Sequence, residues 1–178
     1  MRISRAFAFL VVLVFPNFLL AASSTKDIDL TGSGKSSRFE YVLTPKGSDY
    51  SASLRVVGPD GHELWSQQWE MKADDLKEMM SEEGRKSVDE WVKKFFANKP
   101  FETETFARKK LTEKDLSAVF LEDSAKELTV SSNDLKNAIL QEKVNFLFTY
   151  RSAWREELNA LVYVPKYNRF VAYTGYGQ

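Results

Sequence analysis

Hydrophobic residues along this chain change their period twice, and that change dictates the order of its layers. Phe39, Tyr41 and Leu43 alternate with Glu40 and Val42 up to a turn at Pro45-Lys46-Gly47. A second strand-forming run covers 50–57, and a third, with Leu64, Trp65 and Trp69, covers 63–71 after the turn Gly58-Pro59-Asp60-Gly61. Period two places alternate side chains on one face, and short turns join such runs as an antiparallel meander. The spacing then lengthens to three or four through Leu76, Met80, Val88, Trp91, Val92 and Phe95, the mark of a helix with one apolar face. Asp74 and Asp75 are expected to cap its start. Gly84 costs about 1 kcal/mol inside a helix, so two helices meeting near 81–84 are expected.

After Lys99-Pro100, where helical geometry is disfavoured, residues 101–106 read as a short strand. Thr112 with Glu113 and Asp115 opens a short helix through Phe120, and Ser131-Ser132-Asn133-Asp134 caps another carrying Leu135, Ile139 and Leu140. Residues 145–152, 158–164 and 169–176 return to strand-forming composition. The predicted fold class is therefore α+β, with two antiparallel β-meanders flanking a helical middle. Residues 38–178 form a single domain in this reading.

The N-terminus reads as an address. Arg2 and Arg5 precede an apolar run from 6 to 15, and Leu20-Ala21-Ala22 closes it with small residues, the order of a secretory signal peptide over 1–22. Pro16 and Asn17 interrupt the run well short of the roughly 20 apolar residues needed to span a bilayer. A cleaved leader, a periplasmic or secreted product and no integral membrane span after cleavage are the expectations. Residues 23–37, rich in Ser, Thr, Gly and Asp, read as a flexible lead-in, although Ile28 and Leu30 alternate with Asp27 and Asp29 as an edge strand would. The chain has no cysteine. An exported product of about 155 residues without disulfides must rely on its apolar core, which a domain of that size supplies.

Composition removes several function classes. Loss of the leader leaves 23 basic and 25 acidic residues, a formal charge of −2; nucleic acid as the main partner would demand a basic surface. One histidine, His62, and no thiol cannot assemble a zinc site, and no acidic calcium loop or phosphate-cradling glycine motif is present. His62 follows Gly61 in a turn, where an exposed ring is expected rather than a general base. Cofactors and metals are accordingly expected to be none. Carboxylate pairs such as Glu102 with Glu104 or Glu156 with Glu157 are the material available to a hydrolase acting on envelope polysaccharide or peptide.

One enrichment points to binding. Tyr150, Trp154, Tyr163, Tyr167, Phe170, Tyr173 and Tyr176 crowd the C-terminal strands and turns. Tyrosine and tryptophan combine large contact area with a polar handle, as protein interfaces require. Trp154, Tyr167, Tyr173 and Tyr176 are the candidate binding residues, Trp154 and Tyr167 foremost because they fall in turns. Alternation sends Val171 and Tyr173 to one face of the last strand and Phe170 and Ala172 to the other, so that this hairpin can also be core covered on both sides. The sequence is thus read as an exported binding, inhibitor or immunity-type module whose partner is a protein or cell-envelope component. A carboxylate-pair hydrolase and an accessory subunit using an exposed strand edge, at 39–44 or 169–176, are the alternatives.

Overall fold

The computed structural model describes residues 21–97, 105–151 and 158–176. Eight strands form two four-stranded antiparallel sheets whose spatial order follows the chain. The first sheet comprises β1 (Ala22–Ile28), β2 (Ser37–Lys46), β3 (Asp49–Val57) and β4 (Glu63–Met71); the second comprises β5 (Phe106–Lys109), β6 (Asn145–Arg151), β7 (Leu158–Val164) and β8 (Arg169–Tyr176). Among the described residues, α1 (Ala73–Glu82) and α2 (Val88–Lys93) lie between the two sheets in sequence, and α3 (Ala118–Leu128) and α4 (Ser132–Gln141) lie between β5 and β6. The α+β architecture matches the order of hydrophobic periods.

The period-two pattern is consumed as expected in β2, where Phe39, Tyr41 and Leu43 are buried while Arg38 is exposed. These residues face the second sheet: the Phe39 ring meets Phe148 and Phe106 at 5.0 Å and Phe170 at 5.8 Å. Leu76 and Met79 of α1 and Trp91 and Val92 of α2 join the same core. The outer face of the first sheet carries ion pairs, Arg38 with Asp27 and Arg55 with Glu40, as an antiparallel sheet with one wet face should. The second sheet is buried on both faces. Phe146, Phe148, Leu161 and Phe170 meet the first sheet, while Leu147, Val162, Val164, Val171 and Tyr173 pack with Leu121, Ala125, Leu135 and Ile139 of α3 and α4.

The segment expected as a flexible lead-in departs from that reading. Its start forms β1, paired with β2 from Ala22 opposite Leu43 to Ile28 opposite Ser37. Ala22 and Ile28 pack against the core, and Leu30 is buried. The glycine-rich stretch that follows is gathered by one carboxylate: Asp29 accepts the backbone N–H groups of Gly34 at 2.6 Å, Gly32 at 2.8 Å and Thr31 at 3.0 Å. These bonds, that from Gly34 foremost, hold its carboxyl below the usual range.

The expected break near Gly84 is present and has a stated geometry. Gly84 has φ +65°, its N–H donates to the Ser81 carbonyl at 3.1 Å, and the Arg85 N–H donates to the Met80 carbonyl at 2.7 Å. That pair of bonds is a Schellman ending, which favours glycine because its central residue is left-handed. Ser87 then caps α2 by accepting the Glu90 N–H at 3.2 Å. Asp74 and Asp75 lie in the first turn of α1 and do not supply its cap; Asp49, from the β2–β3 hairpin, accepts the Ala73 N–H at 3.3 Å.

Of the strand expected at 101–106, residues 101–104 lie outside the described residues, and β5 runs from Phe106 to Lys109. The helix expected from Thr112 through Phe120 divides into a short 3-10 turn at Glu113–Asp115 and the longer α3. Thr112 and Asp115 form a reciprocal capping box there. Lys109 and Thr112 together hold the Asp115 carboxyl down to about 2. A carboxyl with a depressed folded-state pKa contributes stability above its unfolded value of 3.8, and loses that contribution as pH falls towards 2. Asp115→Asn is therefore expected to be less stable than the parent near neutrality. Denaturant midpoints of the two proteins should converge between about pH 4 and pH 2; a difference independent of pH would remove this assignment.

Candidate functional site

The two sides of the stacked sheets are finished differently. At the β1 and β5 side, Arg108 donates to the Asp29 carbonyl at 2.6 Å and the Phe39 ring packs edge-on against Phe106. At the β4 and β8 side the two strands also touch, and beside that contact, under α3, lies a groove of about 690 Å³. The free edge of β4 runs along it from Glu63 to Gln67, residues 169–172 of β8 run along the opposite wall, and α3 overhangs with Phe120, Asp123 and Glu127.

Local sequence explains why the groove forms there. Leu64 and Trp65 are consecutive apolar residues that break the alternation of β4, and the register with β3 slips at that point, from Val57 opposite Glu63 to Val56 opposite Trp65. Such a bulge twists an edge strand out of line. Across the gap, α3 lies over β8: the Ser117 N–H donates to the Tyr173 carbonyl at 2.9 Å, and Ser124 Oγ donates to the Ala172 carbonyl at 3.1 Å. β8 is thus an edge strand with two of its carbonyls, those of Ala172 and Tyr173, taken by α3. β4 has only β3 as a strand neighbour among the described residues, so alternate backbone groups along its other edge are turned towards the groove.

The floor is aromatic and the rim acidic. Trp65 meets Tyr150 edge-on at 5.5 Å, and the Tyr150 hydroxyl donates to Gln67 Oε1, joining the two sheets beneath the groove. Phe120 is 37% exposed and its neighbour Val119 is 67% exposed, both large for apolar side chains on a helix packed to a sheet. Three carboxylates line the groove against one guanidinium. Ser66 donates to Glu63 at 2.6 Å and Lys126 pairs with Asp123 at 3.0 Å, whereas Glu127 makes no ion pair among the described residues. Arg169 closes one end by donating to the Glu63 carbonyl at 2.5 Å.

Beyond that clasp the groove continues into a shallower recess of about 380 Å³ bordered by His62, Tyr167 and Asn168. Tyr167, a candidate from the sequence, is half-buried there with the Lys166 ammonium 5.1 Å from its ring centre. Tyr173 is buried in the second core beneath α3, 7% exposed. Tyr176 ends β8 opposite Leu158. Trp154 lies outside the described residues, as do Glu102, Glu104, Glu156 and Glu157. His62 is exposed in its turn, with its backbone N–H donating to Asp60.

No family model, curated protein or solved structure matches this chain.

The site therefore stands on its own chemistry. Among the described residues no group of three or more histidine, cysteine or carboxylate side chains is placed to hold a metal ion, and no helix is long and apolar enough to cross a membrane. Burial pushes the Glu83 carboxyl up, while Arg151, Arg85 and the Trp91 indole pull it back; Glu83 ends α1 and is not part of the groove lining. The two strand edges named as candidates from sequence fare differently. Residues 39–43 are paired on both sides within β2, and in 169–176 α3 takes the carbonyls of Ala172 and Tyr173 while residues 169–172 line the groove. The open edge is β4, which sequence reading did not single out.

Proposed function

We propose that this chain is an exported, non-catalytic binding module of the inhibitor or immunity type, which holds a protein or cell-envelope partner in the groove between β4 and α3. One observation carries the reading: an edge strand without a second strand neighbour among the described residues faces an aromatic floor and an acidic rim. The leader at 1–22 supports export, and cleavage after Ala22 would leave residues 23–28 to pair with β2 as they do here.

A photo-crosslinking residue placed at Phe120 is expected to give a discrete adduct when the protein is expressed with its leader and irradiated in intact cells. The same residue at Thr25, exposed on the first sheet, is expected to give none. Equal adducts from both positions, or hydrolysis of a wall fragment by the purified protein, would sink the reading.

A further inference from the structure

Resting on that reading of the groove, we infer that its ligand is an extended peptide segment in which basic and apolar side chains alternate, added as a fifth strand to the free edge of β4. Two features of the groove select this class. The first is backbone. Residues Glu63 to Gln67 line it consecutively; with the Glu63 carbonyl taken by Arg169 and Leu64 in the register slip, the three residues from Trp65 to Gln67 offer roughly 10 Å of strand edge. An incoming strand completes the ladder that β3 leaves half made. Pairing falls on β4 because α3 already occupies the outer carbonyls of Ala172 and Tyr173 on β8.

The second feature is the side-chain pattern of the walls. An added strand turns alternate side chains to opposite faces. One set meets Trp65, Leu161 and Phe170, and the other meets the rim where Asp123 and Glu127 stand exposed on α3. Asp123 is paired with Lys126, so Glu127, which makes no ion pair among the described residues, is the carboxylate that most favours lysine or arginine in the second set. The charge is uneven along the groove. Arg169 is bound to the Glu63 carbonyl at one end, so the basic side chains belong at the α3 end and an uncharged residue at the Arg169 end. Phe120, 37% exposed at the lip, supplies contact area that a solvent-facing helix position does not need.

Fluorescence anisotropy on the full mature protein tests this with a labelled six-residue peptide alternating lysine and valine. It is expected to bind at least tenfold tighter than the same peptide with glutamate for lysine. N-methylation of alternate backbone amides, which removes strand donors, should abolish binding. The double variant Asp123→Lys/Glu127→Lys changes only exposed groups and should retain its circular dichroism while binding about tenfold more weakly. Equal affinity for the acidic peptide, equal affinity for the N-methylated peptide, or no binding of the lysine–valine peptide overturns the inference. If the Phe120 crosslink forms in cells while the peptide fails, the ligand class falls and the groove remains the contact site. If both fail, the groove itself is lost as a site.

Discussion

Phe39→Ala is expected to remove roughly 3–5 kcal/mol of folding stability, the range for deleting a fully buried aromatic ring. Phe39 is 0% exposed and touches rings from four separate parts of the chain: Phe96 after α2, Phe106 on β5, Phe146 and Phe148 on β6, and Phe170 on β8. Phe106, Phe146, Phe148 and Phe170 are fixed by their own ladders, so they cannot close over the space left behind. The cost is a transfer term plus a cavity that stays open. Against a total of about 5–15 kcal/mol for a typical domain, the loss should move the urea midpoint far down or leave the protein unfolded at 37 °C. Val42→Ala, on the wet face of the same strand, is the control and should cost under about 1 kcal/mol. Equal, small losses in the two variants would mean that the two sheets do not share a core at Phe39.

Much of this architecture was legible because burial on one face writes itself into alternation. β2, β3 and β4 lie where period two placed them, the break at Gly84 lies where glycine weakens a helix, and the last three strands start and stop within a residue or so of their expected bounds. Phe170 and Ala172 face one core while Val171 and Tyr173 face the other, as alternation requires. β1 was harder to see. Its seven residues include only two large enough to pack, and its pairing is made by backbone, which composition does not report. The gathering of the glycine-rich stretch by Asp29 is likewise a matter of geometry around one side chain.

The groove was hidden for a different reason. It arises from two sheets and a helix that are distant in sequence, and no residue type in it is unusual by itself. Tyr167 was found because it is a tyrosine in a turn, and it borders the adjoining recess. The β4 edge left only a faint trace: the adjacent pair Leu64-Trp65 in an otherwise alternating strand, which marks the register slip. Val119-Phe120 left another, a pair of large apolar residues where a one-faced helix needs only one. Neither trace states what lies opposite.

Asn145→Ala is the second large loss to expect, roughly 2–5 kcal/mol from two buried hydrogen bonds with little room for water to replace them. Asn145 is 1% exposed at the start of β6. Its Nδ2 donates to the Ile139 carbonyl at 2.9 Å and its Oδ1 accepts the Leu111 N–H at 2.9 Å, so one side chain fastens the end of α4 and the segment after β5 to the second sheet. Asn145→Asp separates geometry from charge. It keeps the acceptor, loses a donor and buries a carboxylate, whose pKa burial raises. A group with a raised folded-state pKa loses stability as pH rises, so this variant should recover, relative to its parent, as pH falls from 7 towards 4. Asn145→Ala should show no such recovery. Because α4 packs on α3, and α3 carries Asp123 and Glu127, amide exchange in both helices should quicken in Asn145→Ala before the sheets are affected. Uniform acceleration across sheets and helices would instead make Asn145 part of the global core, with no special tie to the wall of the groove.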